Sequence, residues 1–69
     1  MLQADSASVA WNGDKKRWEV RVQVGAEVVR RPLTGVAERA EPNVLKSKAI
    51  EVAADEGYAL DVGHVSLAA

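Results

Sequence analysis

The sequence predicts an α+β domain of order β-β-β-α-β, an antiparallel sheet with one helix packed on one face. Three observations lead there. The run Trp18-Glu19-Val20-Arg21-Val22-Gln23-Val24 alternates apolar and polar without a fault, and successive side chains of a strand point to opposite faces. Turn chemistry brackets that run, with Asn12-Gly13-Asp14 before it and Gly25-Ala26 after it. Beyond Pro42 the apolar residues take up a helical period that Gly57 closes, Pro suiting a first helical turn and Gly a helix end.

Ser6 to Trp11 reads as the first strand, with Ala7, Val9 and Trp11 on one face and Ser8 and Ala10 on the other. Asn12 and Gly13 supply the turn because both tolerate positive φ. The second strand runs from about Arg17 to Val24. Gly25-Ala26 fits a two-residue turn of the type that opens on Gly. That turn sets Val24 opposite Glu27, Val22 opposite Val29, Arg21 opposite Arg30, Val20 opposite Arg31 and Trp18 opposite Leu33. A three-residue loop would instead bring Arg30 onto the core face, and burying an unpaired guanidinium is costly. Pro32 has no amide proton to give to a ladder, so the third strand is an edge there.

Thr34 to Glu41 reads as a loop in which Val36 alone packs. The helix spans Pro42 to about Glu56, capped by Asn43 or Glu41. Leu45, Ala49, Val52 and Ala53 centre its apolar arc, and Ile50 widens it. Lys48, Glu51 and Asp55 take the other side. Its basic residues, Lys46 and Lys48, stand near the positive end of the macrodipole, and Asp55 and Glu56 near the negative end. Packing must therefore hold this helix. From Tyr58 to Leu67 the pattern is strand-like but changes phase: Leu60 and Val62 share one parity, Val65 and Leu67 the other. Gly63 at the break predicts a bulge or tight bend, giving either one bent strand or two short pieces. The expected core is Trp18, Val20, Val22, Val29, Leu33, Leu45, Ala49, Val52 and Ala53.

At 69 residues, the chain makes one domain, residues 1–69, that buries only about 60% of the surface its unfolded form exposes. Such a core supplies roughly 3–5 kcal/mol. With no cysteine, neither disulfides nor thiolate metal ligands supplement it, and an oxidising compartment is disfavoured. The N-terminal residues lack the basic-then-apolar pattern of a signal peptide. No apolar run approaches the ~20 residues that span a bilayer. These features fit a cytoplasmic protein of bacterial style that does not enter membranes.

Net charge is −1, but the charges are segregated. Lys15, Lys16, Arg17, Arg21, Arg30 and Arg31 stand against Glu19 and Glu27 alone, whereas Glu51, Asp55, Glu56 and Asp61 have no basic residue among them. Either the two regions neutralise each other or they face partners of opposite sign. Catalysis has little to work with. His64 is the single histidine, without the company a nucleophilic triad needs, and Ser6, Ser8, Ser47 and Ser66 lie in no nucleophile elbow. Asp55, Glu56 and Asp61 lack the spacing of a calcium loop, and no G-x-G is present to cradle a phosphate. The expectation is therefore no enzyme, no metal and no cofactor.

What remains is binding. One route is protein contact or self-association, including homodimerisation, through Trp11 and the apolar tail that holds Val65 and Leu67, since a small domain gains by covering such a surface. The alternative is nucleic acid held on the outer sheet face. There Arg21 faces Arg30 with Arg17 alongside, and Lys15 and Lys16 crown the adjoining loop. Like charges across a ladder are unfavourable, and phosphates relieve them.

Trp18-Glu19-Val20-Arg21-Val22, then Gly25, then Arg30-Arg31 resembles the arm-binding N-terminal domain of phage integrases. That family places a basic three-stranded sheet in a DNA groove and backs it with a helix. The resemblance implies DNA contacts by Arg21, Arg30 and Lys16. The long loop before the helix, the acidic helix end and the final strand depart from it. The layout also resembles short bacterial proteins of unknown function that carry a hairpin, an Ala-rich helix and a last strand.

Overall fold

The computed structural model describes residues 2–67. The elements are β1 (Leu2–Gln3), β2 (Ser6–Asn12), β3 (Arg17–Val24), β4 (Glu27–Leu33), α1 (Pro42–Asp55), β5 (Tyr58–Ala59) and β6 (Val65–Leu67), with a single 3-10 turn at Val62–His64 before β6. The fold is α+β, as the patterning predicts. Strands β4-β3-β2-β6 form one sheet in that order, and β1 pairs with β5 in a second.

Both hairpins form as the turns require. The β3–β4 register matches the expected one at every pair, from Val24 opposite Glu27 to Trp18 opposite Leu33. Gly25 takes φ +60°, which an L side chain adopts only with strain. In the first turn the positive φ falls instead on Lys16, at +52°. Asn12 acts there through its side chain, whose Oδ1 accepts from the amides of Asp14 (3.1 Å) and Lys15 (3.2 Å). This lengthens the first strand by one residue beyond Trp11.

The final strand modifies the antiparallel plan. β6 lies parallel to β2, with Val65 beside Ala7 and Leu67 beside Val9, and β5 lies parallel to β1, so both sheets include parallel pairs. Of the two forms expected of the tail, it takes the two short pieces rather than one bent strand. At the break Asp61 accepts the Gly63 amide at 3.1 Å and shapes the 3-10 turn.

The helix covers one face of the sheet. Val9, Val20 and Val22 are fully enclosed against Leu45, Ala49 and Ala53, and Ala4, Ala7, Leu33, Leu60 and Val65 complete the core. Three expected core residues are only half-buried: Trp18, Val29 and Val52. Trp18 stands at the end of its strand, Val29 lies on the edge strand β4, and Val52 sits on the shoulder of the helical arc. Ala40 joins Val36 in packing from the loop. Neither proposed cap side chain caps α1. The Glu41 carbonyl accepts from Val44 and Leu45 instead. The other end stops at Gly57, whose φ is +91°.

The helix is tied to the sheet through polar links as well. Arg31, on the core-side parity of β4, reaches Glu56 at the C-terminal end of α1 in an ion pair. The Trp18 indole N–H donates to the Ala37 carbonyl at 2.9 Å and holds the loop before α1 against β3. Trp11 meets Trp18 edge-on, with ring centroids 5.5 Å apart.

Candidate binding face

With α1 on one side, the other face of the four-stranded sheet is left uncovered. Alternation along each strand decides what it displays. β2 contributes Ser6, Ser8, Ala10 and Asn12, and β3 contributes Arg17, Glu19, Arg21 and Gln23. β4 adds Val28, Arg30 and Pro32, and β6 adds Ser66. Across the middle runs one row: Ser66 beside Ser8, Ser8 beside Arg21, Arg21 beside Arg30.

The backbone sharpens the Arg21–Arg30 pairing. Asp5 donates its amide to the Gln23 carbonyl at 2.8 Å, so Gln23 turns its backbone groups toward β2. By alternation Arg21 and Glu19 do the same. Arg21 and Arg30 are thus a non-hydrogen-bonded pair, the kind in which Cα atoms approach to about 4.5 Å and side chains lie closest. The same parity leaves the nitrogen of Pro32 facing outward from the edge, where its missing proton costs the ladder nothing.

The charges nearby are already assigned. Glu19 accepts from Asn12 Nδ2 at 3.0 Å and from Arg17 Nε and Nη2 at 3.2 and 3.0 Å. The hydrogen bond from Asn12, followed by the one from Arg17, holds its carboxyl below the ordinary glutamate value. Glu19 and Arg17 therefore neutralise each other. Gln23 turns its amide to the Gly25 carbonyl. Among the described residues, neither Arg21 nor Arg30 has a carboxylate within ion-pair distance, and both are exposed.

Two adjoining hollows use this pair. One, of about 250 Å³, is lined by Ser6, Ser8, Arg21, Gln23, Arg30 and Ser66 among others. The other, of about 350 Å³, leads from Arg21 and Arg30 past Arg17 to Asn12 and Lys15. Lys15 and Lys16 are exposed at the loop tip. The structure thus brings Lys15, Arg17, Arg21 and Arg30 onto one continuous surface, with Arg17 already paired. Ser6, Ser8 and Ser66 complete that surface and were absent from the sequence-based set. Strand parity places Ser8 opposite Arg21 and Ser6 opposite Gln23, whereas Ser66 joins the row only through the pairing of β6 with β2.

The apolar route fares differently. Val65 is 5% exposed and belongs to the chain's own core, because β6 pairs with β2 beneath α1. Its side chain is enclosed within the chain, on the edge strand of the sheet. Leu67 is half-buried on the same side, and Trp11 is half-buried against Trp18. Ala68 and Ala69 lie outside the described residues. His64 is exposed at the end of the 3-10 turn. Among the described residues no three His, Cys, Asp or Glu side chains come together as metal ligands, and no helix is long and apolar enough to cross a membrane.

The segregated charges meet at one point only among the described residues, the Arg31–Glu56 pair. Neutralisation between the basic hairpin and the acidic helix end therefore consumes Arg31 and leaves Arg21 and Arg30 on the far side of the sheet. Comparison with protein families, curated proteins and solved structures finds no match to this chain.

Proposed function

We propose that this chain is a non-enzymatic cytoplasmic binding module that holds nucleic acid on the uncovered face of its sheet. The observation that carries the reading is the Arg21–Arg30 pair. Two guanidiniums face each other across a ladder, which is unfavourable in isolation, and the one nearby carboxylate, Glu19, is engaged by Arg17 and Asn12. A phosphate backbone supplies the missing negative charge, and arginine forks match its oxygens. Lys15 and Lys16 extend the positive surface along the hairpin. The acidic end of α1 lies on the opposite side of the sheet and does not oppose the approach.

Titration with short DNA at low salt, followed by backbone amide shifts, tests this. Shifts should gather at Ser8, Lys15, Arg21 and Arg30. Log affinity should fall linearly with log salt, at about −0.9 per contacted phosphate on duplex and about −0.7 on single strands. Arg21→Ala and Arg30→Ala should each lower that slope by about one contact. No shift at Arg21 and Arg30 with either form of DNA refutes the reading.

A further inference from the structure

We infer that Arg21 and Arg30 together form a site for one phosphate monoester dianion, the terminal phosphate of a nucleic-acid strand, whose following phosphodiesters run toward Lys15. The inference rests on the nucleic-acid reading above and adds which group occupies the centre of the face.

Charge balance selects the monoester. The two guanidiniums carry two positive charges at one point of the ladder, with no carboxylate among the described residues to offset them. A phosphodiester brings a single negative charge and leaves one guanidinium unbalanced. A phosphate monoester carries about −1.5 to −2 at pH 7 and three acceptor oxygens. Each guanidinium presents up to five donors in a planar fork, so one terminal phosphate can accept from both. Ser8 and Ser66 continue the same row and line the same hollow, where the Ser66 hydroxyl also donates to the Ala7 carbonyl at 3.4 Å. The small Ser6 and Ala7 line that hollow too, with Gln23 and Val28 one pleat beyond the pair.

The chain beyond that phosphate has one favourable exit. Toward Gly25 the face offers Gln23 and Val28, both uncharged. Toward the β2–β3 loop the second hollow passes Arg17 and Asn12 and ends at Lys15. From Arg21 to Arg17 the strand covers roughly 14 Å, which leaves room for more than one nucleotide between the terminal phosphate and the lysines. Arg17 is neutralised by Glu19 on that path, so Lys15 is the next cation the backbone meets without an ion pair among the described residues. Aromatic stacking is not available on this surface: Trp11 and Trp18 occupy the parity that faces α1. The phosphates, not the bases, must then supply the affinity.

The test compares oligonucleotides of one sequence that carry either a terminal phosphate or hydroxyls at both ends, titrated at low salt against the whole chain. The phosphorylated form should bind about tenfold more tightly, the effect of one added charge-assisted contact. Arg21→Gln and Arg30→Gln should each erase that preference, and Arg39→Gln, in the loop before α1, should leave it intact. Arg21→Lys and Arg30→Lys keep the charge but lose the fork, and should reduce the preference. Equal binding of the two oligonucleotides by the wild-type chain overturns the terminal-phosphate site while the nucleic-acid reading stands. No binding of either overturns both. A phosphoserine peptide that binds as tightly as the phosphorylated oligonucleotide overturns the assignment to a nucleic-acid end.

Discussion

Substituting Val20→Ala should cost this protein about half of its stability or more. Val20 has no solvent exposure; its cross-strand neighbour on β2 is Val9, equally enclosed. The change removes two methyl-sized groups, at about 0.8 kcal/mol each. If the surroundings do not collapse, a void of roughly 40 Å³ adds about 1 kcal/mol. The total is about 2.5 kcal/mol, against roughly 3–5 kcal/mol for a core of this size. The melting temperature should fall by roughly 10–20 °C, at 4–8 °C per kcal/mol for a small domain. Far-UV circular dichroism melts and urea titration measure both. The control is Val28→Ala, which lies on the outer face at 46% exposure and should change stability by less than about 0.5 kcal/mol. If Val28→Ala proves costly and Val20→Ala does not, the sheet presents the opposite face to the helix, and Arg21 and Arg30 do not stand on its uncovered side.

Lys16→Gly should stabilise the first hairpin by about 0.5 kcal/mol, because relief of the left-handed backbone outweighs the added freedom of the unfolded chain; a lower urea midpoint would contradict this. Glu19 should titrate below the ordinary 4.5 when followed through its carboxyl carbon shift. Its folded-state pKa lies below the unfolded value, so the stabilisation is present above about pH 4.5 and is lost as the pH falls through the folded value. Glu19→Gln should therefore flatten the acid limb of stability against pH, and an unchanged limb would show the Arg17–Asn12 contacts to be without effect. Trp18→Phe removes the indole donor to Ala37 and should cost about 1 kcal/mol, with faster amide exchange between Val36 and Ala40. Protection there identical to wild type would mean the loop is held by packing alone.

The uncovered face was legible in the sequence to the extent that the β3–β4 register was. A two-residue turn, a strict alternation and the cost of burying Arg30 left one pairing, and that pairing set Arg21 against Arg30. The state of those charges was not legible. Arg17 and Glu19 are two residues apart on one strand face, and only side-chain geometry decides that Glu19 turns to Arg17 and Asn12 rather than to Arg21. Likewise Arg31 carries the parity of the core face, yet its guanidinium escapes burial by reaching Glu56 at the end of α1.

The tail divides the two kinds of knowledge most sharply. Its apolar content said that Val65 and Leu67 need cover, and Gly63 said that the chain bends before them. Neither says what the cover is. Val65 lies 58 residues from its partner Ala7, and a pairing at that separation depends on where α1 has already placed the chain. The same holds for β1 and β5, each of two residues, too short to show a period of their own. Sequence by itself determined the hairpins, the helix and the face each turns inward, because turns, caps and periodicity act over a few residues. Tertiary structure alone decided the parallel pairing that buries Val65, the burial of Ala4 and Leu60, and the isolation of Arg21 and Arg30 from every described carboxylate. Those outcomes depend on which distant surfaces meet, and no local pattern encodes that.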